Sequence, residues 1–248
     1  MKIKVTTTKM KELTFNPNLF RPMKSGRSID AHFSTQGGLM RGTNYAIVGD
    51  PGVGKSTVML DMLADLQKKG RKVLFISGEM NSIDMYGYVK RFPKFGNLPI
   101  LFLGDYIEQN CLEVIETVLK DSYDVVLIDS MAEVCNAVSD SSKAYMSSKK
   151  AESEVLNLLE KHNKGENKDK VNTAFLVIQQ VTKQGNFAGS NRFKHMMTGM
   201  AHMKFADGQR IFYFSKNRRG GLHDARVFNL GSRNRVGWMG TLPMNEIE

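Results

Sequence analysis

Ala46-Ile47-Val48-Gly49-Asp50-Pro51-Gly52-Val53-Gly54-Lys55-Ser56-Thr57 decides how this chain is read. An apolar strand runs into G-x-x-x-x-G-K-[ST], and Val58, Met59, Leu60, Met62 and Leu63 follow as the apolar positions of a helix. The glycines let backbone N–H groups turn inward on a phosphate, and the helix N-terminus adds its partial positive charge. Lys55 is spaced to reach β- and γ-phosphates, and the Ser56 hydroxyl to take a Mg²⁺ position. A Gly-rich turn that happens to carry Lys-Ser would leave the preceding strand and the following helix without a purpose. Gly49 to Thr57 therefore predict a nucleoside triphosphate site, with ATP and Mg²⁺ expected.

Composition bounds the rest. At 248 residues, 41% hydrophobic and 24% charged, the chain has the length and make-up of one large α/β domain. No apolar run approaches the roughly 18 residues that span a bilayer, and Met1-Lys2-Ile3-Lys4-Val5 opens no signal peptide. Cys111 and Cys135 alone encode neither a disulfide framework nor a Cys-ligated metal site. A cytoplasmic setting is expected, that of a cell or of a cell infected by a phage. The net charge of +10 is segregated. Between Thr182 and Gly220, eight basic residues stand against Asp207 alone; between Met1 and Asp30, seven stand against Glu12 and Asp30. Such segregation suggests a polyanion partner, nucleic acid first, or else a solvated basic face with contacts to nucleotide phosphates.

Along the chain, residues 1–30 read as a short strand and an irregular arm, and a β/α alternation follows. Strands are predicted at Tyr45–Gly49, Lys72–Ser77, Ile100–Leu103, Asp124–Ile128 and Thr173–Gln179. Helices are predicted at Lys55–Lys69, Ser82–Arg91, Cys111–Lys120 and Ala144–Lys161. Arg210–Ser215 and Ala225–Leu230 form a closing antiparallel pair. Continuous apolar strands alternating with helices mean a mostly parallel twisted sheet flanked by helices, with an antiparallel C-terminal extension. The expected organisation is a basic arm or interface segment (1–30), an ATPase core (31–240) and a C-terminal tail (241–248).

Three further segments carry chemistry. Asp124-Val125-Val126-Leu127-Ile128-Asp129 is a buried strand ending in an acid, suited to hold Mg²⁺ with Ser56; a helix-capping Asp is the alternative. Phe75-Ile76-Ser77-Gly78-Glu79 ends a strand in Gly-Glu. Its carboxylate would orient a water against the γ-phosphate, or merely start a helix. Phe175-Leu176-Val177-Ile178-Gln179-Gln180 ends in an amide able to sense the γ-phosphate. The loop Thr182–Ala201 behind it is rich in Gly, Lys, Arg, His and Met, a composition that suits tracking a phosphate backbone.

Taken together, these segments resemble the RecA-like ATPase core, and more closely its bacterial RadA/Sms branch, over roughly residues 28–235. Gly37-Gly38-Leu39 with Gly42 resembles that branch's entry to the glycine loop, and Ser77-Gly78-Glu79 its catalytic glutamate segment. Val181-Thr182-Lys183-Gln184-Gly185, Ala188-Gly189 and His195-Met196 resemble its DNA-contacting loop, and Lys216-Asn217-Arg218-Arg219-Gly220 its Lys-Asn-Arg-Phe-Gly signature. The resemblance implies Lys55, Glu79 and Gln180 at the catalytic centre, with Ser56 and Asp129 on Mg²⁺. It implies Lys216 and Arg218 reaching the γ-phosphate of a neighbouring subunit. Lys183, Arg192, Lys194 and Lys204 are expected on single-stranded DNA, and Met131–Ser148 matches the position of a first DNA-binding loop.

Three departures are expected from that branch: a form without its four-Cys zinc module, a form without its protease-like domain, and Arg219 in place of the signature Phe. In this the chain is similar to the short RecA-like proteins of phages. The expected function is a DNA-dependent ATPase of recombination or repair, a homo-oligomeric ring or filament with nucleotide at the subunit interface. The alternatives are a DnaB-type replicative helicase core and an ATP-organised annealing or mediator protein without motor activity. A clock-type signalling ATPase with no DNA contact is a third.

Overall fold

The sheet grows outward from the strand that enters the glycine loop. In the computed structural model, which describes residues 6–141, 146–180, 190–231 and 234–247, β1 (Asn44–Gly49) is buried along its whole length. It pairs parallel with β5 (Ala174–Gln180) on one side and β6 (Gly199–Ala206) on the other. β2 (Val73–Ser77), β3 (Ile100–Phe102) and β4 (Val125–Asp129) complete the parallel part, and β7 (Gln209–Asn217), β8 (Ala225–Asn229) and β9 (Gly237–Leu242) the antiparallel part. The order is β3-β2-β4-β5-β1-β6-β7-β8-β9.

Side chains alternate across each strand, so the continuous apolar runs feed two cores at once. Tyr45, Ile47, Val125, Leu127, Leu176 and Ile178 face α2 (Lys55–Lys68). Ala46, Val48, Val126, Ile128, Phe175 and Val177 face α4 (Cys111–Leu119), α5 (Met131–Asp140) and α6 (Ser148–Asn163). The first core continues into the extension through Met203, Phe212, Phe214 and Phe228. There Phe33 of α1 (Asp30–Phe33) meets Tyr45 and Phe214 edge-on at 5.1 and 5.3 Å, and the Tyr45 hydroxyl donates to Phe33 O at 2.9 Å.

Several expectations are corrected. Met131–Ser148 does not begin as a loop. Residues 131–140 form α5, whose Met131, Val134, Cys135 and Val138 recur at i, i+3, i+4, i+7 and pack into the second core. The long helix starts at Ser148 rather than Ala144, because Ser147 caps it by accepting from Lys150 N. Residues 6–30 carry two short 3₁₀ turns, Met10–Glu12 and Pro17–Phe20, and no strand; residues 1–5 of the expected arm lie outside the described residues. Within the segment expected as loop, α7 (Asn191–Met196) and the start of β6 are regular; 181–189, with Lys183, lie outside the described residues. β9 crosses position 240, and Ile247 is buried against Ile211, Ala225 and Val227. No helix among the described residues is long and apolar enough to cross a membrane.

Candidate nucleotide site

The carboxyl ends of β1, β4 and β5 open into a cleft of about 780 Å³, where open α/β sheets bind ligands. Close contacts at two glycines shape its near wall. A Cβ on Gly49 would lie 2.0 Å from Met203 O, so only glycine lets β1 and β6 approach where the loop leaves the sheet. Gly54 takes φ +104° directly beneath Leu230. The Lys55 ammonium donates to Gly49 O at 2.7 Å and Asp50 O at 2.9 Å. Burial lowers its pKa, while Asp129, Asp50 and Glu79 act to raise it.

The acids come from the two strands beyond β1. Gly78 N donates to Asp129 O at 2.9 Å, and a Cβ on Gly78 would meet Val134 N at 2.9 Å. The turn after β2 is thereby pressed on the start of α5, and Glu79 is left exposed on the cleft. Gln180 Nε2 donates to Glu79 Oε2 at 3.4 Å. Asp129 is 2% exposed. Burial raises its carboxyl to about 6; the Ser56 hydroxyl and Lys55 pull against that, and the charge of Glu79 adds to it. Its Oδ2 is buried without a hydrogen-bond partner. Lys55, Ser56, Glu79, Asp129 and Gln180 thus line one space.

Sequence reading did not find the far wall. Tyr88 and Arg91 of α3 (Ser82–Arg91), with Arg210, Asn229, Leu230 and Gly231, complete the lining. Arg91 Nη2 donates to Leu230 O, which ties α3 to the segment roofing Gly54. The i, i+3 spacing of Tyr88 and Arg91 was the one local signal available. The roof depends on pairing between distant strands, which no short window contains.

The expected distant residues lie elsewhere. Lys216 and Arg218 are not among the described residues lining this cleft; Lys216 Nζ donates to Lys194 O at 2.8 Å and Arg218 Nη2 to His195 O at 3.3 Å. Arg192 reaches α6, donating to the Ser153 hydroxyl and to Asn157 Oδ1 at 2.5 Å. Lys204 sits on β6 and donates to Ile247 O at 2.8 Å.

Comparison with known proteins agrees with this geometry. A family model described as the RecA N-terminal domain matches residues 21–211. The chain is 28% identical over 204 residues to the DNA repair protein RadA of Campylobacter jejuni, covering 81% of this chain and 43% of that one. It spans less than half the length of the curated relatives it matches. Among solved structures, a KaiC-like protein of Pyrococcus horikoshii aligns with a TM-score of 0.66 at 16% identity, covering 89% of this chain and all of the other. The flagellar accessory protein FlaH of Methanocaldococcus jannaschii aligns at 0.67 and 12%, with the same coverage. At such identities these two speak for the fold alone.

Proposed function

This chain belongs to the RecA N-terminal domain family, and on that premise we propose that it hydrolyses ATP in recombination or repair on single-stranded DNA. The nucleotide would be held between protomers of a ring or filament. One observation carries the reading: the glycine loop, Glu79, Asp129 and Gln180 converge on a single cleft. RecA-like kinship and the basic segment from Thr182 to Gly220 support the DNA partner.

The residues then have distinct tasks. The loop amides and the start of α2 receive the phosphates, and Lys55 exchanges its two carbonyl partners for phosphate oxygens. Ser56 and Asp129 would hold Mg²⁺; the unpartnered, buried Asp129 Oδ2 is an oxygen donor of the kind that ion takes. When bound, it supplies charge neutralisation for the phosphates. Glu79, exposed on the cleft, accepts a hydrogen bond from the attacking water and orients it in line with the γ-phosphate. Gln180, already on the Glu79 carboxylate, reports the state of that site to the segment that follows it. Lys216 and Arg218 act on a neighbour's γ-phosphate, where charge develops in the transition state. Lys183, Arg192, Lys194 and Lys204 are the candidate DNA contacts, the third being nearest to the Lys216 hairpin.

The test is ATP hydrolysis with and without single-stranded DNA, in the wild type and Lys55→Ala. Stimulation by DNA that weakens steeply with salt is expected, with activity lost in the variant. Hydrolysis indifferent to DNA would remove the DNA coupling, and an active Lys55→Ala chain would remove the site.

A further inference from the structure

Between the two cations of the β7–β8 hairpin stands Asn217, whose side chain is used at both ends. Its Nδ2 donates to His32 O at 2.9 Å and Phe33 O at 3.1 Å, carbonyls at the end of α1. Such carbonyls have no partner within their own helix. Its Oδ1 accepts from Arg219 N at 3.0 Å, inside the turn itself. The backbone repeats the attachment: Thr35 N donates to Arg219 O at 3.1 Å and Leu222 N to Ala31 O at 3.0 Å. Gly220 and Gly221 take φ +69° and +114°, and a Cβ on Gly221 would lie 2.5 Å from His32 O. The turn is pressed against α1 with no room for a side chain.

Neighbouring residues on a strand face opposite ways. Turning Asn217 in toward α1 therefore turns Lys216 and Arg218 out together, onto the carbonyls that end α7. We propose that Asn217 is a positioning residue that aims the Lys216–Arg218 pair, through its clamp on α1, at the nucleotide of a second copy of this chain. This rests on the intersubunit reading above. Replacing the amide frees the turn to rotate about its glycines and leaves the cleft of the same chain intact.

The test is complementation in mixed oligomers. Asn217→Ala alone should hydrolyse ATP about 10–100-fold more slowly, since small misplacements of a catalytic group cost that much. Its KM for ATP should change little, because its own cleft is untouched. Mixed with Lys55→Ala, which has a dead cleft and a sound hairpin, it should regain activity. Asn217→Asp keeps the acceptor for Arg219 N but sets a carboxylate oxygen against the two α1 carbonyls, so it breaks the clamp without shortening the side chain; it should behave the same way. Wild-type rates in both variants, or a loss that Lys55→Ala does not restore, would overturn the proposal. A parallel mixture of Lys216→Ala with Lys55→Ala separates the two readings. If it too fails to recover, the intersubunit site is at fault; if it recovers where Asn217→Ala does not, only the role of Asn217 is.

Discussion

The two halves of the sheet are built on different terms. From β3 to β1 the strands are parallel, apolar along their length and covered on both faces. From β6 to β9 they are antiparallel. One face there joins the main core through Met203, Phe212, Phe214 and Phe228, and the other carries a small cluster of Ile211, Ala225, Val227 and Ile247. The first half ends its strands at the cleft, and packing holds the strands and helix whose ends carry Lys55, Glu79, Asp129 and Gln180. The second holds Lys216 and Arg218 on a hairpin tied down by hydrogen bonds to α1 and α7. Burial fixes one set of groups; a few polar contacts fix the other, and polar contacts are easier to exchange.

Variants can break this contrast, starting in the parallel half. Lys55→Ala should lower ATP hydrolysis by about 100-fold or more while the melting temperature stays near wild type, since the lost group is electrostatic. A steady-state assay beside a thermal melt checks both. Gly49→Ala attacks the seam between the halves, because its Cβ would meet Met203 O at 2.0 Å. Forcing β1 from β6 should cost about 3 kcal/mol in urea unfolding; a neutral effect would mean the seam yields. Leu230→Ala, in the extension, removes the roof over Gly54. It should cost about 2 kcal/mol and weaken nucleotide binding, readable with a fluorescent ATP analogue.

The smallest effect concerns pH. Burial, the main cause, holds His32 and His162, one on each side of the sheet, below the ordinary histidine value. The unfolded chain therefore binds protons that the folded chain refuses, so stability present above about pH 6.5 is lost as pH falls, by up to about 1.4 kcal/mol per unit for each histidine. Asp129 works in the opposite sense. Raised to about 6, it keeps its proton in the folded state where the unfolded carboxylate, near 4, has lost it. The decline should thus set in near pH 6.5 and, below 6, run at about half the slope that the two histidines alone would give. Urea melts between pH 7.5 and 5 follow it, and stability that rises on going from 7.5 to 6 would contradict the assignment.

How much was legible in the sequence follows the same division. Val125–Asp129 and Ala174–Gln180 announce themselves because a strand buried on both faces is a continuous apolar run. The glycine loop is a contiguous motif, and α3 was legible to the residue because Asn81 caps it and Phe92 ends it. α5 is obscured because Met131–Ser148 resembles a loop of related cores, although its apolar spacing is helical. β9 was hidden because Gly237–Leu242 is short and largely exposed, and its place depends on pairing with β8. Residues roofing the cleft come from that same pairing, so their role could not be seen in any window of sequence.

Mixed assembly of two inactive chains asks most directly whether the cleft is half of a shared site. Lys55→Ala spoils the cleft and spares the hairpin; Lys216→Ala does the reverse. Combined in equal amounts, they leave about one interface in four with both parts sound, if subunits meet head to tail. A shared site requires recovery to about that fraction of wild-type hydrolysis. A mixture as inactive as its components, from chains that still co-assemble, would contradict it.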